Sequence, residues 1–335
     1  MLLLPQPILE LTINGDKVSS AFMSDVLSFT YSDEFHGKSD KIEVELQDGD
    51  GLYRAGNGPQ KHDIIKAKIG YVGGQMLPCG EFEIEDISAS GGRGGDKFTI
   101  SATSTATSKK VRSKQSEAFE KQKLSQLVKK ITARNGLELV GDFDDITFNR
   151  ITKRREGDLE FLRKIAEDTG HYFTVKGKQA VFVKREAIEK QEPILIFSLT
   201  NRDYLKSWNM KEESSGTYSK AEVEYFDGKK NKNHKGEAED KDVKTGDVLK
   251  IKERVESPAH AKKLAKARLD AANDIKLTGS IEFVGLPDLI AGVIIGLDET
   301  FGRYKGKYLI GPSDHSITRG GGYVGRAELK KVGEL

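Results

Sequence analysis

The stretch Glu156-Gly-Asp-Leu-Glu-Phe-Leu-Arg-Lys-Ile-Ala-Glu-Asp-Thr-Gly-His-Tyr-Phe173 decides the fold, because the hydrophobic period changes inside it. Leu159, Leu162, Ile165 and Ala166 fall on one helical face, Asp158 sits near the positive end of that helix, and Gly170 closes it. Directly afterwards, His171-Tyr-Phe-Thr-Val175 and Gln179-Ala-Val-Phe-Val183 read as two strands across the turn Lys176-Gly177-Lys178. Upstream, Leu124, Leu127, Val128 and Ile131 form a second helical stripe, stopped by Asn135-Gly136. Together these elements predict a small α/β unit over residues 109–192.

On either side the period returns to two. Ile8-Leu-Glu-Leu-Thr-Ile13 runs into the tight-turn signal Asn14-Gly15-Asp16, and Ile42-Glu-Val-Glu-Leu46 alternates as a half-buried strand should. Further strands are expected over 64–71, 80–88 and 97–103, with no helical stripe before residue 115, so residues 1–108 read as a barrel-like β domain. Residues 193–335 read as a second barrel-like domain. One helix interrupts it near 258–273, with Ser257 as N-cap and Pro258 at the first helical position. The segment 227–247, dense in Lys, Asp, Glu, Asn and Gly, offers little to bury and is expected to be a mobile charged loop. The predicted class is a β-rich α+β chain in which two barrel-like domains flank the α/β unit. No repeat shows at the level of residues, so any duplication of the two β domains has to be one of shape.

With 335 residues, 36% of them hydrophobic, the chain is long enough for two or three cores. The 54 basic and 52 acidic side chains nearly cancel, which removes any net field towards a phosphate backbone or an anionic membrane, so no specific nucleic acid and no membrane insertion are expected. Cys79 is the only cysteine, which rules out an internal disulfide and points to a reducing folding compartment. The apolar start Met1-Leu-Leu-Leu-Pro5 lacks a basic leader and meets Glu10 almost at once, so it is not expected to be a signal peptide.

Several patterns invite a chemical reading and are better served by a structural one. Gly320, Gly322 and Gly325 satisfy the dinucleotide spacing, but only ten residues follow, too few for the rest of a βαβ unit, so a β-turn is expected. Ser313-Asp314-His315 contains the members of a hydrolase triad, yet neighbours on a strand point to opposite faces. His36, His62, His171, His234 and His260 show no paired metal spacing. Asp142, Asp144 and Asp145 lack the Gly and terminal Glu of a calcium loop and read as a solvated turn. The basic runs Lys109-Lys110-Val-Arg112-Ser-Lys114 and Lys229–Lys235 are each followed by acids and read as solvated segments. Trp208, Tyr204, Tyr225 and Phe226 are read as core or subunit-interface residues, and Cys79 as an unpaired packing residue. No catalytic, cofactor-binding or metal-ligating residue is assigned, and no cofactor is expected.

Two stretches resemble the phage late-control gene D family, the hub proteins of contractile baseplates. The first is the quoted segment 156–173 with its hairpin to Val183, in which Phe161-Leu162 lies in the first helical turn and Gly170 precedes an aromatic strand. The second begins at Ser257-Pro-Ala-His-Ala-Lys-Lys-Leu-Ala265 and runs through Gly279-Ser280, Gly285-Leu-Pro-Asp-Leu-Ile-Ala-Gly292, Gly306-Lys-Tyr-Leu-Ile310 and Asp314-His-Ser-Ile317 to Gly321-Gly-Tyr323. Their order and spacing cover roughly the last 180 residues.

The resemblance implies a non-enzymatic homotrimer in which each subunit gives two barrel-like domains to a ring of pseudo-sixfold symmetry, an adaptor between a sixfold tail tube and a threefold central spike. The spike is expected to be a separate polypeptide, with the tape measure and other baseplate proteins as further partners. The expected location is the tail baseplate of a virion or of a related injection particle, assembled in the bacterial host cytoplasm. A hub-associated peptidoglycan hydrolase and a carbohydrate- or receptor-binding tail module are the alternatives.

Overall fold

A computed structural model describes residues 6–105, 114–143, 145–228, 231–243 and 247–335. The N-terminal part comprises β1 (Pro7–Ile13), β2 (Asp16–Lys17), α1 (Ser20–Asp25), β3 (Val26–Asp33), β4 (Lys41–Gln47), β5 (Ile64–Tyr71), β6 (Met76–Ser90) and β7 (Lys97–Ser104). An α/β unit follows, with β8 (Gln115–Lys123), α2 (Leu124–Arg134), β9 (Glu138–Val140), β10 (Thr147–Glu156), α3 (Asp158–Thr169), β11 (His171–Lys176), β12 (Gln179–Lys184) and α4 (Arg185–Glu189). The remainder holds β13 (Ile196–Phe197), β14 (Leu205–Glu212), β15 (Tyr218–Asp227), β16 (Lys232–Glu239), β17 (Asp247–Ile251), α5 (Pro258–Asn273), β18 (Leu277–Val284), β19 (Ile294–Leu297), β20 (Gly306–Thr318) and β21 (Gly322–Gly333).

The class is β-rich α+β, but the expected pair of barrels is replaced by one open sheet of thirteen strands that runs through both halves of the chain. Its path is β14-β18-β21-β20-β3-β4-β7-β6-β5-β1-β2, with β19 and β13 branching from β20. The join is made by β3 and β20, which pair antiparallel from Ser313↔Asp33 to Thr318↔Ser28. Each half keeps its own core, one around Phe29, Val44, Ile69, Phe82 and Ile100 and the other around Phe283, Ile295, Leu297, Tyr308 and Ile310.

Within this sheet the same strand path occurs twice. The series β3-β4-β7-β6-β5 and the series β14-β18-β21-β20-β19 are both antiparallel throughout and have the same chain order. The match extends to irregularities. β3 slips register against β4 between Val26 and Ser28, and β14 slips against β18 between Leu205 and Ser207. β6 bulges against β7 between Ile84 and Asp86, and β20 bulges against β21 between Ile310 and Ser313. Before β5, His62 N–H donates to Ile84 O, and before β19, Gly292 N–H donates to Ile310 O; both residues have positive φ, 74° and 93°. Counting from these landmarks, Phe29 corresponds to Trp208, Tyr31 to Met210, Val44 to Ile281, Ile84 to Ile310 and Gly80 to Gly306. The halves differ at β1, which pairs antiparallel with β5, whereas β13 pairs parallel with β19.

The two halves also differ in what connects their strands. Between β3 and β4 lies a short turn, but between β14 and β18 the chain inserts β15, β16, β17 and α5. This corrects the reading of 227–247 as a mobile loop: 232–239 form β16, which pairs with β15 along its whole length. Charge density misled here because β16 alternates, exposing Lys235 and Glu237 while His234 and Gly236 face α5. α5 is capped by the Ser257 hydroxyl, which accepts from His260 N–H, and buries Ala261, Leu264, Ala265 and Leu269 against this small sheet.

The backbone of α5 lies so close to β16 that a Cβ at position 236 would stand 2.2 Å from the Ala261 carbonyl carbon and 2.3 Å from Lys262 N. Backbone cannot swing aside as a side chain can, so Gly236→Ala is expected to cost about 1–3 kcal/mol. The urea midpoint of the purified variant measures this, and an unchanged midpoint would contradict the packing described.

Candidate functional site

Because β3 and β20 are the seam of the molecule, the side chains on them decide how the two halves are held. Tyr31 and His315 are direct cross-strand partners and stack at 6.4 Å with an interplanar angle of 28°. His315 is fully buried; its Nδ1 lies 2.7 Å from Tyr323 Oη and its Nε2 3.2 Å from Leu289 O. Burial lowers its pKa, so it stays neutral, and with both ring nitrogens engaged neither is free to act as a base. Ser313 shares the buried face, while Asp314 points outward and accepts from the Ser32 hydroxyl at 2.6 Å. The three residues of the apparent triad therefore serve the seam.

A charged lock fastens the α/β unit to the same seam. Lys176, at the end of β11, reaches Asp33, Asp40 at 2.9 Å and Glu34 O at 2.8 Å. Asp33 also accepts from Ala291 N–H at 2.7 Å, and both Asp33 and Asp40 accept from the Tyr31 hydroxyl. Burial works against the Lys176 ammonium, but the two carboxylates outweigh it and hold its pKa above the usual value. Burial pushes the Asp40 carboxyl up to about 6, with Lys176 opposing. A second junction joins Tyr172, Arg185 and Glu189 of the α/β unit to Asp274 and Lys330, with Arg185 2.6 Å from Asp274. Arg185, Glu189 and Asp274 of this junction also line a cleft of about 1740 Å³ between the α/β unit, α5 and β21, bordered largely by charged side chains.

At one end of the sheet lies β14, an eight-residue strand paired only with β18 among the described residues, on which Lys206, Ser207, Trp208, Asn209, Lys211 and Glu212 are exposed. A second free stretch is the far half of β6. β5 accompanies β6 only as far as Glu83, while β7 stays beside it to Ser90, so the outer side of 86–90 has no strand against it among the described residues. Trp208 is 37% exposed and packs edge-on to Phe301 at 5.4 Å, whereas its counterpart Phe29 is 0% exposed.

The other singled-out residues scatter. His36 lies 3.2 Å from Glu167, His62 2.6 Å from Glu83 and His171 2.9 Å from Thr169, His234 is buried against α5, and His260 packs on Phe148. No group of three or more His, Cys, Asp or Glu side chains suited to a metal is found among the described residues. Asp145 accepts from Ser125 N–H and caps the start of α2, Asp142 is exposed, and Asp144 lies outside the described residues. So do Met1–Pro5, residues 109–113 of the first basic run and Lys229 and Lys230 of the second; Lys235 of the latter pairs with Glu224 at 3.0 Å. Gly320 and Gly322, with φ of 80° and 75°, form the turn between β20 and β21. Tyr225 packs in the core under α5, Tyr204 and Phe226 are exposed, and Cys79 is buried in the N-terminal core. The free edges of β14 and β6 escaped sequence reasoning. Trp208 alone had marked one of them.

Three comparisons place this architecture among known proteins. The family described as phage tail baseplate hub (GPD) matches residues 80–321. The probable baseplate hub protein of Escherichia phage 186 is 26% identical over 201 residues, 59% of this chain and 50% of that protein, so the chain spans about half the length of this relative. The fold of a tail protein from Neisseria meningitidis MC58 superposes with a TM-score of 0.72 at 13% identity, covering 97% of this chain and 96% of that one. The E. coli c3393 protein, described as a component of the type VI secretion system with structural similarity to T4 tail proteins gp27 and gp5, matches with a TM-score of 0.62 at 12% identity, over 96% and 76% of the two chains. At such identities the structural likeness is one of fold.

The Lys176 lock generates a pH-dependent expectation. The folded-state pKa of Asp40 is raised, so ionising it carries no penalty below the unfolded value and the full penalty once pH passes about 6. Lys176→Met removes the compensating cation and is expected to cost about 3 kcal/mol at pH 8 and distinctly less at pH 5. Thermal unfolding of wild type and variant at the two pH values checks this; an equal deficit at both would show that Asp40 does not sense Lys176.

Proposed function

The chain belongs to the phage tail baseplate hub (GPD) family, and from that premise we propose that it acts as a ring-forming structural adaptor, a homotrimer seated between the tail tube and the central spike. The observation that carries the reading is the doubled strand path. A chain with two similar halves, β3-β4-β7-β6-β5 and β14-β18-β21-β20-β19, supplies six similar units to a ring from three copies. The elements that occur once per chain, the α/β unit and the insert carrying α5, would then appear three times around the same ring. One face can present a sixfold pattern to a tube while another presents a threefold pattern to a spike. Such conversion needs extensive complementary surface and no reactive group. In this reading the chain catalyses nothing, binds no cofactor, and works in the baseplate of a phage tail or related injection particle.

The seam chemistry supports a structural role of this sort. Polar side chains that could have been spent on a substrate are consumed in fastening one part of the chain to another: Lys176 on Asp33 and Asp40, and His315 between Tyr323 and Leu289.

The mass of the purified chain in solution, alone and mixed with its candidate spike, tests the proposal. A trimer, or a 3:3 complex with the spike, is the expected outcome. A monomer under both conditions, at concentrations well above those of assembly, would remove the ring reading.

A further inference from the structure

Resting on the ring reading, we infer that the joint between neighbouring copies is a strand-to-strand pairing of β14 from one copy with the outer side of residues 86–90 of β6 in the next, in the register that β3 and β20 already use inside one chain. The internal joint is the template. β3 begins the first series, β20 stands fourth in the second, and the far half of β20, residues 313–318, carries β3 on the side that β19 leaves free beyond Leu309. The counterparts of those two strands are β14 and β6. Both have the corresponding sides free: β14 ends the sheet, and β6 loses β5 after Glu83 but keeps β7 to Ser90.

The register follows residue by residue. Ile87 faces Ile100 on β7 as Ser313 faces Ala327 on β21, and Ser88 faces Thr99 as Asp314 faces Arg326. Ile100 and Ala327 are themselves counterparts, because Val44 faces the one and Ile281 the other. Ile87, Ser88 and Ala89 therefore take the places of Ser313, Asp314 and His315. On the other strand Met210, Lys211 and Glu212 take the places of Tyr31, Ser32 and Asp33. Transferring the pairs Tyr31↔His315, Ser32↔Asp314 and Asp33↔Ser313 gives Met210 opposite Ala89, Lys211 opposite Ser88 and Glu212 opposite Ile87 in the neighbouring copy.

Three features favour this occupant over an unrelated partner. Diagonal to the Lys211 and Ser88 pair, on the same face, stands Asp86, so an exposed ammonium meets an exposed carboxylate. Trp208 and Met210 take the places of Phe29 and Tyr31, which beside β20 are 0% and 4% exposed, whereas Trp208, on a strand with no partner on that side among the described residues, is 37% exposed. The contact is also head-to-tail, joining two different edges, and so repeats around a ring as an isologous contact would not.

Crosslinking between two single variants, Lys211→Cys and Ser88→Cys, tests the register. The template pair Ser32 and Asp314 is in side-chain contact at 2.6 Å, within reach of a disulfide if the positions are equivalent. The natural Cys79 is buried, and burial raises its thiol pKa, so it stays out of the reaction. Mixed and oxidised, the two variants are expected to give a covalent dimer that neither gives alone, and the emission of Trp208, the single tryptophan, is expected to move to the blue as wild-type chains associate. Assembly without a mixed disulfide and without the spectral shift would overturn the joint while leaving the ring reading in place. A disulfide in Lys211→Cys alone would replace it with β14 pairing to itself, and a chain that never associates would remove joint and ring together.

Discussion

The structure depends on one strand pairing. Without β3 against β20 the thirteen-stranded sheet would fall into two sheets, each with a core of its own and an unpaired edge. Backbone hydrogen bonds alone contribute modestly, because water competes for the same groups. What makes the pairing specific is the stack of Tyr31 on His315 and the burial of Asp33 beside it, both of which fix a register that a slip of one residue would turn inside out. The α/β unit then closes on Asp33 and Asp40 through Lys176, so the third body of the chain is attached where the first two meet.

That arrangement places a costly buried charge cluster at a junction instead of in a pocket. Buried ion pairs gain little net stability over apolar packing, but an unmatched carboxylate is strongly penalised, so they discriminate between correct and incorrect docking. In the proposed adaptor, discrimination matters more than depth of stability. The same reasoning covers Arg185 and Lys330 on Asp274 and Glu189, where the α/β unit meets the C-terminal half.

Much of the local structure was legible because it rests on local chemistry. The stripe Leu124, Leu127, Val128 and Ile131, the Gly170 stop and the Ser257–Pro258 start read directly as α2, α3 and α5. The short helix α1, six residues with only Phe22 and Met23 partly packed on the core, is too brief to leave a stripe to find. The doubled path was not legible: Phe29 and Trp208, Tyr31 and Met210, Ile42 and Gly279 share a place in the sheet without sharing a residue, and the insert carrying α5 breaks the spacing between counterparts. The open sheet was hidden for a related reason. A period-two pattern says which face of a strand is buried and nothing about which strand lies beside it, so two barrels and one continuous sheet write the same alternation. The free edges of β14 and β6 carry no composition signal beyond a lone Trp208 between lysines.

The long separation of β3 and β20 along the chain bears on how the protein is made. During synthesis β3 is complete long before residues 313–318 emerge, so its edge waits uncovered while the chain between them is made. Pairings of such high sequence separation form slowly, and an exposed edge accepts any strand of suitable pattern. Neighbouring ribosomes on one message carry the same unfinished edge, which sets correct closure within a chain against exchange between chains. The seven residues 34–40 that turn β3 into β4, with Asp40 ready to close on Tyr31, are available from the outset to shape that edge before its partner arrives.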